Sequence, residues 1–230
     1  MTLSVIIPTR NEAQTIGPLV ESLFRYGGEA LAEVLVADGG STDGTPERAR
    51  QAGARVWTAP VPGRAVQMNG AARLARGTVL YFVHADVQIH PDFAMDIRQA
   101  LAAGYPAGCY RFRFDSPHPL LRLNSFGTRF SGLMSRGGDQ TLFVTRALFD
   151  QLGGFDERFV IMEDFDLIRR IRRYGPFRII PKNVIVSCRK YRTNSWLRVQ
   201  LANLTAFALF YLRISPRRIA RTYRFLLNPH

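Results

Sequence analysis

Several short stretches of this 230-residue chain carry side chains suited to more than packing. Pro8-Thr9-Arg10-Asn11-Glu12 follows an apolar run and offers small and polar groups that can line a base or ribose. Taken alone, the same residues more readily make an ordinary strand exit, turn and helix start. Asp38-Gly39-Gly40-Ser41-Thr42-Asp43 places an acid where it can accept hydrogen bonds from ribose hydroxyls or a base N–H, beside glycines that let the backbone approach a ligand. The other reading is a polar turn before a capped helix. Neither GxGxxG nor GxxxxGK[ST] is present in this segment. Arg64 opens a helical run, where it can meet phosphate beside free backbone N–H groups or simply be solvated. In His84-Ala85-Asp86, a carboxylate at a strand end can bind a hard cation such as Mg²⁺ or Mn²⁺, with His84 on the same side and phosphate oxygens and water completing the sphere. Met162-Glu163-Asp164-Phe165-Asp166 groups three acids, which either complement a helix dipole or include a general base.

Chemistry of this kind needs elements to hold it. Leu3–Pro8, Glu33–Ala37, Arg55–Thr58 and Thr78–Val83 read as buried strands, and 12–26, 46–51 and 65–76 carry apolar residues at helical spacing. Thr45-Pro46-Glu47 reads as an N-cap, a first-turn proline and a first-turn acid. Alternation of this kind predicts an α/β fold with a mostly parallel sheet, and such sheets bind ligands beyond the carboxyl ends of their strands. Further on, 108–114 and 140–145 read as strands, 120–135 as irregular and helix-compatible, and Met162–Tyr174 as a helix. Phe177–Pro181 with Val184–Cys188 reads as a strand pair.

The formal charge of +13 first suggests a nucleic acid, yet its location argues otherwise. Residues 1–166 hold 16 Lys+Arg and 18 Asp+Glu, a balance of −2, whereas residues 167–230 hold 15 Lys+Arg and no acid. Cys109 and Cys188 form neither a disulfide framework nor a CxxC pair. An N-terminus that opens on a strand-like run leads to the expectation of a cytoplasmic protein.

Taken together, in this order and spacing, the segments resemble a family 2 glycosyltransferase of the GT-A fold. The likeness rests on Ser4–Glu12, Asp38–Asp43, Gly63–Asn69, His84-Ala85-Asp86, Gly138-Asp139-Gln140, Gly153-Gly154-Phe155-Asp156 and Glu163-Asp164. It is similar to the subgroup of rSAM/selenodomain-associated transferases. The resemblance implies a mixed, mostly parallel sheet flanked by helices, an inverting transfer from a UDP- or GDP-linked sugar to an unknown acceptor hydroxyl, and a divalent metal. It places Pro8, Thr9, Glu12, Asp38, Arg64, Asn69 and His84 at the donor and Asp86 at the metal. Asp139 and Glu163 fall near the sugar or acceptor, and Asp164 at the position of the catalytic base. His84 stands where the family's DxD motif has its first acid, leaving metal preference open. The QxxRW motif is absent, with Arg189 and Lys190 in its approximate place as cations for the departing phosphate.

On this reading, residues 1–188 form the transferase domain, with 1–115 as the nucleotide half and 116–188 as the acceptor half. Residues 189–230 form a basic helical extension. Val199 to Leu212 is an uncharged run of 14 residues, too short for a bilayer span of about 20. Arg217, Arg221 and Arg224 share one helical face beyond it, opposite Ile219, Tyr223 and Leu226. This pattern fits either an anionic membrane surface, with peripheral attachment at the inner face of the plasma membrane, or helices packed on their own domain or a second subunit. Two other functions compete: a non-catalytic nucleotide-sugar-binding protein and a basic nucleic-acid-binding module.

Overall fold

The computed structural model describes residues 1–130, Gly132 and 140–227. Eight strands form one sheet in the order β3-β2-β1-β4-β7-β6-β8-β5. These are β1 (Leu3–Thr9), β2 (Leu31–Asp38), β3 (Arg55–Thr58), β4 (Val79–Phe82), β5 (Val87–Gln88), β6 (Ala107–Phe114), β7 (Leu142–Thr145) and β8 (Phe177–Val186). Four of the seven strand pairings are parallel, so the sheet is mixed and mostly parallel as expected. Every residue of β1 is buried, which is why its sequence is largely apolar rather than alternating, with Ser4 and Thr9 as its buried polar residues.

Helices cover both faces. On one, α1 (Ile16–Gly27) and α4 (Phe93–Ala102) pack Leu19, Leu23, Phe93 and Ile97 against Val5, Val36 and Tyr81. On the other, α3 (Arg64–Leu74), α6 (Arg146–Gln151) and α7 (Glu163–Tyr174) pack Met68, Phe149, Leu167 and Ile171 against Ile6, Leu35 and Leu80. The short α2 (Thr45–Gln51) lies beside α1, and α5 (Pro119–Gly127) follows β6. The chain closes with α8 (Arg189–Thr193), α9 (Trp196–Tyr211) and α10 (Pro216–Leu227).

Four expectations are corrected. The strand pair across 177–188 is a single strand, β8, whose register against β6 shifts between Tyr110 and Arg111, where Tyr110 pairs with Ile180 and Arg111 with Asn183. The two extra residues, Pro181 and Lys182, break the sequence pattern without ending the strand. Second, β5 and α4 escape the sequence reading. Third, the first helix begins at Ile16, because Glu12 to Thr15 form a preceding turn. Fourth, Thr45 does not cap its own helix. Its hydroxyl donates to Asp43 Oδ1 (2.5 Å) and accepts the Glu12 N–H (2.9 Å). The 120–135 expectation falls partly on α5 and partly outside the described residues.

Buried polar groups hold the frame at two points. Lys182 donates to Asp92 and Asp96, each at 2.7 Å, while Tyr110 OH donates to the second oxygen of buried Asp96 at 2.8 Å. The Lys182 ammonium thereby neutralises the His90–Asp92–Asp96 cluster at the sheet edge. Arg146 donates to the carbonyls of Ala72 (3.1 Å), Ala75 (2.7 Å) and Gly77 (2.9 Å), satisfying the open C-terminal end of α3 from a different helix. Replacing Arg146 with Met should cost about 2–3 kcal/mol and lower Tm by roughly 4–10 °C in a thermal melt, because several carbonyls lose a charged donor at once.

Candidate functional site

The carboxyl ends of β1, β2 and β4 open into a crevice, and the loops beyond them are locked together by side chains. Gln67, buried on α3, donates to the carbonyls of Thr9 (2.8 Å) and Ala37 (2.6 Å), tying the ends of β1 and β2. Gly39 N–H also donates to Thr9 O at 2.9 Å. A Cβ at Gly39 would come within 3.0 Å of the Gln67 amide, so the first glycine of the turn admits that side chain. Asn11 holds a left-handed φ of 56°; its N–H donates to Ser41 Oγ and its Oδ1 accepts the Thr42 N–H, both at 2.9 Å. Asp43 accepts from Thr45 and from the Ala13 N–H (3.1 Å). The Thr45 hydroxyl bond, the largest contribution, holds its carboxyl below the usual carboxylate range.

Asp38, the last residue of β2, is buried. Its Oδ2 accepts the N–H groups of Gly40 and Ser41, both at 3.0 Å, and its Oδ1 accepts the Ser41 hydroxyl at 2.5 Å. Two carboxylate oxygens carry about four lone-pair sites, so this acid shapes its turn and retains capacity for another donor. The Thr9 hydroxyl nearby is buried without a hydrogen-bond partner. An orphaned buried hydroxyl at a strand end is a group awaiting a ligand or water. Pro8 lies in register with Ala37 and is buried one residue before the end of β1.

Further into the crevice stand the acids. Arg189, from the start of α8, grips Glu12 with both terminal nitrogens (2.6 and 3.2 Å) and lies 3.9 Å from Asp86 Oδ2. Glu163 and Asp164, in the first turn of α7, are both buried. Arg64 reaches Glu163 at 3.8 Å, and His84 Nε2 lies 4.0 Å from Asp164 Oδ2. Burial, with the Arg64 charge adding to it, pulls the His84 pKa down to about 3. His84 is therefore a neutral imidazole near neutrality, and its approach to Asp164 is not an ion pair. The third acid of the cluster, Asp166, belongs to the frame. It accepts from Arg169 and Arg170 at 2.8 Å each, and Arg170 also holds the carbonyls of Leu152 and Gly154.

Thr9 and Asp38 thus end neighbouring strands, Arg189 links Glu12 to Asp86, and His84 and Arg64 approach Asp164 and Glu163. Two predicted residues are turned elsewhere. Asn69 donates to Phe155 O and Glu157 and accepts the Phe155 N–H, each at 2.9 Å, pinning the 153–157 loop to α3. Lys190 turns to α10, with its ammonium bonded to the Tyr223 hydroxyl and 4.9 Å from the ring centre. Asp139 lies outside the described residues. Sequence reasoning missed Gln67, Asn11 and Asp43 as organisers. A polar Gln between Ala65 and Met68 on a buried helical face is a readable sign of a buried amide at work.

The fold is a mixed α/β sheet whose strand ends gather a cluster of acids. The family model for glycosyl transferase family 2 matches residues 4–149, and the chain belongs to that family. A glucosyl-3-phosphoglycerate synthase of Mycolicibacterium smegmatis is 35% identical over 99 residues, covering 40% of this chain and 32% of its own length. The chain thus spans about a third of that relative. The succinoglycan biosynthesis protein ExoA of Rhizobium meliloti is 30% identical over 193 residues, covering 74% of this chain and 58% of its own. Among solved structures, the mannosyltransferase PcManGT from Pyrobaculum calidifontis, in complex with GDP-Man and Mn²⁺, superposes with a TM-score of 0.69 at 21% identity, covering 97% of this chain and 69% of that one. The Mycobacterium tuberculosis glucosyl-3-phosphoglycerate synthase with Mn²⁺, UDP-glucose and phosphoglyceric acid gives 0.67 at 20% identity over 98% and 79%. The fold is that of the GT-A glycosyltransferases.

His84 has a folded pKa below its unfolded value, so its contribution is fully present above about pH 6.5 and fades as pH falls towards about 3. In the metal-free protein, this group should cost on the order of 2 kcal/mol between pH 7 and pH 5. Denaturant titrations at the two pH values should show that loss in the wild type and a smaller one in His84→Gln.

Proposed function

We propose that this chain transfers a sugar from a nucleoside-diphosphate donor to an acceptor hydroxyl with inversion at the anomeric carbon. The observation that carries this reading is the pairing, in one crevice, of an orphaned Thr9 hydroxyl and Asp38 at the strand ends with the buried acids Glu163 and Asp164 at a helix N-terminus. Thr9, Asp38 and Glu12 border the nucleotide, and Arg64 faces the donor from the first turn of α3. Asp164 accepts the proton of the acceptor hydroxyl as its oxygen forms a bond to the anomeric carbon and the bond to the diphosphate oxygen breaks. Arg189 supplies positive charge for the leaving nucleoside diphosphate, exchanging Glu12 for phosphate oxygens.

The residues fit a divalent cation. Asp86 offers a carboxylate and neutral His84 an imidazole lone pair, a small donor set that leaves positions for phosphate oxygens and water. Structural relatives with Mn²⁺ and UDP-glucose or GDP-mannose support the same assignment. Such an ion, when bound, neutralises charge on the diphosphate. Asn69 and Lys190 are assigned to the frame rather than to the donor.

A panel of UDP- and GDP-sugars with Mn²⁺ should raise the Tm of wild type and of Asp164→Asn alike, since binding to the folded form stabilises it. Turnover of the stabilising donor should fall by 10²–10⁴-fold in the variant, the range for loss of a positioned base. Wild-type protein that gives the shift without turnover would be a nucleotide-sugar-binding protein instead, and flat responses across the panel would sink both readings.

We also infer attachment to an anionic membrane surface. No described helix is long and apolar enough to cross a membrane. On α9, however, Leu197, Leu201 and Leu204 form an exposed stripe that Leu212 extends just past the helix end, with Leu197 73% and Leu212 70% exposed. Arg198 and Arg213 flank it, and α10 adds Arg217, Arg221 and Arg224. An apolar face beside arginines is the pattern of a helix lying in the headgroup layer. Wild-type protein should float with phosphatidylglycerol-containing vesicles, and Leu197→Ser/Leu201→Ser/Leu204→Ser should stay at the bottom of the gradient with an unchanged melt.

A further inference from the structure

Beyond the crevice, the outer end of the sheet carries a second concavity. Arg113 of β6 pairs in register with Ile185 of β8, and Ile185 with Gln88 of β5, so the three side chains share one face. Helix α5 packs beside β6 and contributes Arg122 and Phe126, and Arg129 follows two residues past its C-terminal end. The space between them is about 980 Å³, the size of a small-molecule site. Its position is informative. Gln88 is two residues from Asp86, and Asp115 at its rim accepts the Cys188 N–H (2.8 Å), one residue before Arg189. The concavity therefore opens beside the acids of the crevice.

Its chemistry is one-sided. Three arginines line it against one acid, Asp115, and among the described residues none of the three pairs with a carboxylate. Arg129 instead lies 4.9 Å from the Phe126 ring centre, a stacked guanidinium that meets no acid among the described residues. Phe126, Leu123 and Ile185 supply apolar surface between the cations. Guanidinium forks around apolar walls recognise a phosphate or similar dianion attached to an apolar group.

We propose that this groove is the acceptor subsite and that the acceptor is a soluble organic phosphate with an apolar portion. The acceptor role rests on the transferase reading above; the ligand chemistry rests on the groove alone. The apolar portion lies along Phe126 and Ile185, the phosphate meets Arg113, Arg122 and Arg129, and the acceptor hydroxyl extends towards Asp86 and Asp164.

Hexyl phosphate, hexanol and inorganic phosphate, titrated by saturation-transfer NMR, test this directly. Hexyl phosphate should bind saturably, with each of the other two at least about tenfold weaker. Arg122→Gln/Arg129→Gln should weaken it by a further tenfold or more while keeping the Mn²⁺-donor thermal shift, which verifies the fold. Equal affinity for hexanol, indifference to the double variant, or binding of phosphatidate vesicles but not of hexyl phosphate would overturn the proposal. A donor shift without hexyl phosphate binding removes the groove alone. Arginine-dependent hexyl phosphate binding without any donor response removes the transferase reading, and the acceptor role with it.

Discussion

Where two parallel strands end and diverge, their last carbonyls lose their ladder partners, and a crevice lined with unpaired acceptors would be costly. Gln67 resolves this for β1 and β2 with a single amide that donates to Thr9 and Ala37. Everything nearby is arranged around that bridge. Gly39 makes room for it, Asp38 folds its turn just beyond it, and Asn11 and Asp43 bind the two loops to each other. The strand ends are thereby held at a fixed distance, with the Thr9 hydroxyl buried beside them and without a hydrogen-bond partner. A rigid frame of this kind lets a ligand be met by groups already in position, without ordering loops on arrival.

Charge is distributed by the same economy. Of the four acids Glu12, Asp86, Glu163 and Asp164, the last two are buried and the first two half-buried, and carboxylates withdrawn from water require compensation. Arg64 and Arg189 supply it from opposite sides, one from the first turn of α3 and the other from beyond β8. Both arginines are more than half exposed, so these pairs add little to stability and exchange partners at small cost. His84, by staying neutral, adds an imidazole without adding charge. Asp166, one turn into the same helix, is satisfied by two arginines and stays out of the crevice.

Much of this is legible in the sequence. Apolar runs followed by polar turns gave the first four strands, and acids at strand ends pointed to the crevice. What escaped depends on contacts distant in sequence. The two-residue β5 is too short to show a period, and it exists because β8 offers an edge to pair with. Pro181 and Lys182 look like a turn, yet parallel pairing with β6 on both sides carries the strand through them. Asn69 sits in a family motif, and nothing local reveals that its amide is spent on Phe155, 86 positions away. Lys190 was expected at a phosphate, but the nearest electron-rich partner is Tyr223 on a helix whose docking no local pattern records.

The C-terminal helices have a mechanical consequence. Phe207 of α9 packs edge-on against Phe165 at 4.7 Å between ring centres, and Phe210 lies 5.8 Å from Phe159 and under the Arg169 guanidinium. Met162 joins the same cluster and directly precedes Glu163 and Asp164, in a left-handed conformation with φ 71°. The segment that aims the two acids is thus braced from behind by the tail. The outer surface of α9 and the first turn of α7 are therefore two ends of one aromatic strut, and a load on either is carried to the other through Phe207 and Phe210.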